Sequence, residues 1–221
     1  MLTLGIHCAG AYCDVALADE TGSVGVMREA MKRGHDQKLA GLTADLLTSK
    51  SVRMSDIERF AVCVGPGSFT GIRVGVAFAR GLALAGGTSA IGVTSLEAML
   101  PAAKAQPAIA FLPAKQRPPD LSFWVQGLGT DLFSEPVELS ESDLNNTIPP
   151  DALLVVPADI HTVLEDYLPG ERNIQNAESS AANVASLAAS LPAGPHRNAN
   201  PLYVRAPDAI PAKPIATILS D

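Results

Sequence analysis

With 221 residues, 47% of them hydrophobic and 18% charged, the chain has material for one large domain or two small lobes with real cores. A net charge of −7 without any Lys/Arg cluster argues against tight direct binding to a nucleic-acid backbone, which needs a positive surface. No apolar stretch approaches the roughly 18–20 residues of a membrane span.

The first residues, Met1-Leu2-Thr3-Leu4-Gly5-Ile6, have neither the basic flank nor the cleavage site of a signal peptide and read as a strand, so a cytoplasmic location is expected. Cys8, Cys13 and Cys63 are odd in number and lie in or beside apolar runs, which predicts buried free thiols in a reducing compartment. Runs 2–8 and 13–19 are joined by the short link Ala9-Gly10-Ala11-Tyr12 and predict a hairpin. A third strand over 24–31 follows the turn at 20–23. Leu39, Leu42, Leu46 and Leu47 have helical spacing, which predicts a helix over 35–49. Ser55-Asp56-Ile57-Glu58 offers a capping box for a short helix before the next strand.

Residues 60–64 are apolar on both alternating faces and too short for a helix, so they predict a central, parallel strand covered on both sides. It enters the turn Gly65-Pro66-Gly67, and a helix opens near Gly71 with Ser68 or Thr70 able to cap it. Such a strand–loop–helix unit can hold an anion through Gly65, Gly67, Ser68 and Thr70, or it can be a bare tight turn. No Gly-Lys-Ser/Thr follows, the glycines at 65, 67 and 71 are one residue off G-x-G-x-x-G, and Ser68 is not in G-x-S-x-G. In the helix, Gly71, Gly75, Ala79, Ala83 and Gly87 form a row of small residues four apart. Each interior glycine costs about 0.5–1 kcal/mol relative to alanine, a cost usually offset by close approach of another backbone. That neighbour is either a helix of the same chain or a helix of another subunit. Arg73 and Arg80 share another face, which is expected to reach solvent or an acidic partner.

Residues 90–93 predict a further strand, and Thr94-Ser95-Leu96-Glu97 a second capping box opening a helix toward residue 104. Beyond it, strands are expected over 108–112, 122–126, 132–139 and 153–156, with helices over 141–146, 158–167 and 181–191. Prolines punctuate the chain from residue 192, which predicts an extended tail laid along the surface. This order supports mixed α/β structure with a mixed sheet. His7, His35, His161 and His196 show no paired spacing, so no metal site is expected. Ser68 has no matched base or orienting acid for a hydrolase.

Gly65-Pro66-Gly67-Ser68-Phe69-Thr70-Gly71-Ile72-Arg73-Val74-Gly75 strongly resembles the signature of the TsaB (YeaZ) family, bacterial proteins needed to make threonylcarbamoyladenosine in transfer RNA. Pro201-Leu202-Tyr203-Val204-Arg205 resembles the P-x-Y-x-R segment near that family's C-terminus. The resemblance implies an actin/Hsp70-like (ribonuclease H-like, ASKHA) fold: a mixed sheet flanked by helices, in two lobes with the second reduced. The expected division is an N-terminal lobe over 1–104, a second lobe over 105–191 and a tail over 192–221.

The resemblance further implies a non-catalytic support subunit, without catalytic residues, cofactor or metal of its own. Its partners would be a TsaD-like catalytic subunit, a TsaE-like ATPase and a second copy of itself. The complex uses ATP and modifies N6 of adenosine 37, and transfer RNA is met only through it. Partner contacts are expected at Leu39, Leu42, Leu46, Gly71, Gly75 and Ala79, since small residues let helices approach and leucines fill the seam. Two departures from the family pattern stand out. His7-Cys8-Ala9 replaces an aspartate-led motif, and Pro113-Ala114-Lys115 replaces Asp-Ala-Arg, with prolines at 118 and 119 expected to interrupt strand pairing. The alternative reading is a stand-alone, actin-like kinase or hydrolase of the glycoprotease-like kind.

Overall fold

The computed structural model describes residues 1–31, 33–99, 107–117, 120–192 and 197–204. Strands β1 (Thr3–His7), β2 (Tyr12–Asp19) and β3 (Gly22–Ala30) form an antiparallel meander. Helix α1 (His35–Ser49) leads to β4 (Arg59–Gly65), then helix α2 (Phe69–Ala85) to β5 (Ile91–Thr94). The sheet order is β3-β2-β1-β4-β5, with β4 parallel to both of its neighbours. Every residue of β4 is buried, as its unbroken apolar run requires of a strand covered on both faces. The edge strand β3 instead alternates between partly covered and exposed positions.

A second five-stranded sheet repeats the first. It comprises β6 (Ala108–Arg117), β7 (Asp120–Leu128), β8 (Val137–Ser140), β9 (Leu153–Val156) and β10 (Asn173–Asn176), in the order β10-β9-β6-β7-β8. Strands β6, β7 and β8 are antiparallel, while β9 is parallel to both β6 and β10. Each pairing thus has its counterpart in β1–β5. Short helices α3 (Glu141–Thr147) and α4 (His161–Tyr167) cover this sheet over a core that includes Ile109, Phe111, Phe123, Val125, Leu144 and Leu164. Two mixed sheets of one plan, each flanked by helices, are the actin-like architecture.

Helix α5 (Ala181–Ser190) corrects one expected boundary. Although it follows the second sheet in sequence, it packs on β1, β2 and β4 of the first. The reason lies in three residues. Gly5 lets the helix backbone come down onto β1, since a Cβ there would lie 2.7 Å from the Ala185 amide nitrogen. Buried Asp14 accepts from the Ala181 N–H at 2.9 Å at the helix start. Buried Arg59 donates to the carbonyls of Ala188, Leu191 (2.8 Å) and Pro192 (3.3 Å) at its end. An anion at the N-terminus and a cation at the C-terminus both complement the helix dipole. Arg28 completes the arrangement by donating to Asp14 at 2.8 Å from β3.

Other expectations shift locally. The turn before β4 is a 3-10 turn, Met54–Asp56, closed by the Asp56 carboxylate on the Arg53 N–H at 3.0 Å rather than by a box starting at Ser55. The expected strand over 132–139 shortens to Val137–Ser140, because Phe133, at φ 54°, and Leu132 turn the chain back against Gly127. Pairing of β6 with β7 continues past Pro113 to Arg117↔Asp120, since a register shift between Pro113 and Lys115 absorbs the proline. Prolines 118 and 119 lie outside the described residues, as do most of the helix expected toward 104, the expected lobe boundary at 104/105 and His196. Strand β10 was not expected, because Asn173-Ile174-Gln175-Asn176 has one apolar residue and gains its identity from pairing with β9.

Of the expected tail, residues 197–204 form a strap along the first sheet. Gly92 donates to the Arg197 carbonyl at 3.1 Å, Leu202 donates to Val64 at 2.8 Å, and Asn198 bridges Ile91. The sheets meet where the Thr94 hydroxyl donates to Gln126 at 2.6 Å.

Candidate docking face and glycine loop

The apolar strand β4 ends at Gly65, and both Gly65 (φ 105°) and Gly67 (φ 152°) adopt backbone that only glycine takes readily. The Ser68 side chain caps α2, accepting from Gly71 N–H at 3.2 Å, so of the two expected caps it is Ser68 rather than Thr70 that acts. The loop is seated on its own chain. Ser68 N–H donates to the Ala9 carbonyl at 2.7 Å, and a Cβ at Gly67 would overlap that same carbonyl. On the other side Ser95 donates through its backbone to Gly65 (2.8 Å) and through its hydroxyl to Pro66 (2.6 Å). The β1–β2 link therefore packs directly against the loop at Gly67 and Ser68. Of the loop's N–H groups, that of Ser68 is thereby taken by the chain itself.

The small-residue ridge turns inward. Gly71, Gly75 and Ala79 are buried. A Cβ at Gly71 would overlap the Cys8 carbonyl oxygen, and one at Gly75 would touch Val62, Cys8 and Ile6 at 3.5–3.7 Å. The close approach inferred from the glycines is real, but its partner is the chain's own first sheet. Leu39 and Leu46 likewise belong to the first core, with Leu42 half-buried against it. Five of the six expected contact residues are thus buried before any partner arrives.

The exposed face of the same helices is also apolar. Leu39, Val74, Ala77, Phe78, Gly81 and Leu82, with Asp36 at the rim, line a groove of about 490 Å³ between α1 and α2. Beside it α1 presents exposed Ala40, Gly41 and Ala44, and α2 ends on Leu84, 80% exposed. The sequence carries this stripe in Val74, Ala77, Phe78, Gly81 and Leu82, which recur at helical spacing beside the row of small residues. At the helix start, Arg73 lies 3.7 Å over the Phe69 ring and donates to the Tyr203 hydroxyl at 2.8 Å. Arg73 thereby ties the strap to α2 instead of standing free in solvent.

Beneath the loop, on the α5 side, His7 and Cys63 are buried together, and the Cys63 sulfur lies 3.0 Å from the Ser95 hydroxyl. Burial opposes charge on either group. The adjacent sulfur nevertheless holds the His7 imidazole above its ordinary pKa, and the imidazole holds the thiol below its own. Among the described residues Nε2 of His7 has no hydrogen-bond partner. Among the described residues no three His, Cys, Asp or Glu side chains gather as a metal ion would require.

Two sheets of one plan and a Gly-Pro-Gly loop opening α2 define the class: the chain belongs to the family of TsaD, tRNA N6-adenosine threonylcarbamoyltransferase, whose model matches residues 13–145. Within it the relatives point to the TsaB (YeaZ) branch. The chain is 39% identical over 99 residues to the tRNA threonylcarbamoyladenosine biosynthesis protein TsaB of Escherichia coli, covering 45% of this chain and 42% of that protein. It is 36% identical over 115 residues to the tRNA N6-adenosine threonylcarbamoyltransferase of Lawsonia intracellularis, covering 45% and 32%. In these matches the chain spans less than half the length of the curated relatives. Among solved structures it is similar to YeaZ from Pseudomonas aeruginosa, with a TM-score of 0.61 at 22% identity over 85% of this chain and 90% of that one. It is also similar to an uncharacterised protein related to peptidase YeaZ from Pseudomonas aeruginosa, with a TM-score of 0.71 at 22% identity over 92% and 99%. These two likenesses carry the fold. No helix among the described residues is long and apolar enough to cross a membrane.

Proposed function

We propose that this chain is a non-catalytic subunit in the synthesis of threonylcarbamoyladenosine in transfer RNA, and that it supports a TsaD-like catalytic subunit by docking through α1 and α2. The observation that carries this reading is the apolar groove between those helices, which offers another helix Val74, Ala77, Phe78 and Leu82. The N-terminal lobe would present the groove, and the second sheet would be the reduced lobe. The net charge of −7 suits a protein that meets transfer RNA through its partner rather than directly. A TsaE-like ATPase would supply ATP turnover to the assembly. No step of the transfer is assigned to a side chain of this protein, a reading supported by the β1–β2 link taking the Ser68 N–H of the glycine loop and by the burial of His7 beside Cys63.

The test is gel filtration with light scattering, on the chain alone and mixed with the TsaD-like protein of the same organism. Gly81→Glu is the informative variant. A Cβ at Gly81 meets open space, so the variant retains its fold while placing a charge in the groove. Formation of a mixed complex by the parent chain and its loss in Gly81→Glu, at unchanged circular dichroism, is the expected result. A parent chain that never associates, with or without nucleotide, removes the subunit reading. Tight magnesium-dependent ATP binding by the isolated chain would favour a stand-alone enzyme instead.

A further inference from the structure

The link that seats α2 carries two sulfurs facing each other. Strands β1 and β2 pair through His7↔Asp14, so one step further along the ladder Cys8 stands opposite Cys13. Their sulfurs are 4.0 Å apart, and the residues are 1% and 0% exposed. Directly opposed residues of an antiparallel pair have Cα atoms about 4.5–5.5 Å apart, within the range of about 4.4–6.8 Å that a disulfide bridges. Bond formation at about 2.0 Å therefore needs side-chain rotation and no shift of strand register.

We propose that Cys8 and Cys13 form a peroxide-oxidisable dithiol whose disulfide locks the Ala9–Tyr12 link on which the glycine loop and α2 rest. Hydrogen peroxide is the oxidant class, because it is small enough to reach sulfurs that the link covers. The Cys13 thiolate attacks one peroxide oxygen, the O–O bond breaks, and the departing hydroxide takes a proton to leave water and a sulfenic acid. The Cys8 sulfur then attacks the Cys13 sulfur, expelling the sulfenic oxygen as a second water with the Cys8 proton. Two thiols lose two electrons and one peroxide gains them. Polarity favours these roles: the hydrogen bond from Cys8 holds the Cys13 thiol below its ordinary pKa, against burial and the charges of Asp14 and Glu29, and the same bond pushes the Cys8 thiol up. Locking follows from contact, since the Cys8 carbonyl backs Gly71 and the Ala9 carbonyl receives Ser68 N–H.

Peptide mapping of the full chain after treatment with a small excess of hydrogen peroxide tests the chemistry. Cleavage at Lys and Arg places Cys8 and Cys13 together on peptide 1–28 and Cys63 alone on peptide 60–73. After alkylation of the denatured protein, peptide 1–28 is expected unalkylated and two hydrogens lighter, while peptide 60–73 carries one alkyl group. In Cys63→Ser the bridge on peptide 1–28 still forms while peptide 60–73 carries no alkyl group, and Cys13→Ser abolishes the bridge. Amide exchange on the oxidised parent chain then reads the lock, with slower exchange expected at Ser68 and Gly71. Two alkyl groups on peptide 1–28 after peroxide, higher oxides without a bridge, or a bridge to Cys63 would overturn the dithiol. A bridge that leaves the exchange rates unchanged would overturn the lock.

Discussion

Gly71 and Gly75 lie four residues apart on one helix face, yet their surroundings predict opposite responses to a methyl group. At Gly71 the obstacle is the Cys8 carbonyl, a backbone group that cannot rotate away. Gly71→Ala is expected to destabilise by about 1–3 kcal/mol, as overpacked sites do. At Gly75 the nearest atoms stand at ordinary contact distance, so Gly75→Ala recovers helix propensity and is expected to stabilise by about 0.5–1 kcal/mol. Denaturant titration of both variants, with an unchanged slope, checks the pair. The His7–Cys63 contact has its own signature. In the parent chain the His7 imidazole is expected to titrate above its ordinary value, because the neighbouring sulfur favours the imidazolium. Cys63→Ala removes that partner and leaves burial less opposed, so the titration moves down in pH. The His7 ring proton followed by NMR reports the direction, and an upward movement would contradict the contact.

Among the elements, α5 is the one whose placement depends on charged side chains far away in the chain. Arg59, buried beneath the helix end, supplies hydrogen bonds to carbonyls that would otherwise be left without partners. Hydrogen bonds to a charged group are worth about 1.5–3 kcal/mol, so Arg59→Met, which keeps the apolar stem, is expected to lose about that much in a denaturation experiment. The α1–α2 pair shows the complementary case. Its inward face is fixed by the sheet, and its outward face is apolar with no covering element among the described residues. Helix α2 is apolar nearly all round for that reason, and its pattern alone did not say which face meets the sheet. The backbone settled it: Gly71 lies where the Cys8 carbonyl comes closest, Ile72, Val76 and Ala79 share its buried side, and Val74, Ala77, Phe78 and Leu82 are left lining the groove.

For the whole molecule, the return of α5 ties the C-terminal part of the chain to the first sheet. A chain cut after Asn176 keeps every strand of both sheets but leaves the α5 side of β1 and β2 bare, with Asp14 and Arg59 deprived of the helix ends they serve. Such a chain is expected to lose cooperative unfolding, as followed by circular dichroism during thermal melting. A sharp transition retained at the parent temperature would show that α5 is dispensable. The strap over 197–204 acts more weakly, since Arg73 holds Tyr203 at an exposed site where a cation–π contact is worth about 0.5–1 kcal/mol.

Periodicity and turn chemistry determined the order of the first half and the strand–loop–helix unit at residues 59–85. Hydrophobic spacing and helix caps are local, and the Thr94–Glu97 box closes as its residues imply, with bonds of 2.9 and 3.0 Å. The Gly-Pro-Gly signature likewise marked the family, because such a turn constrains its residues one by one. Tertiary structure alone decided which face of α2 is inside, where α5 packs, that Asn173–Asn176 is a strand, and that the Ala9 carbonyl receives the Ser68 N–H of the glycine loop. Each of these depends on atoms brought together from distant parts of the chain. Burial and hydrogen-bond satisfaction act on that assembled neighbourhood, which no local pattern contains.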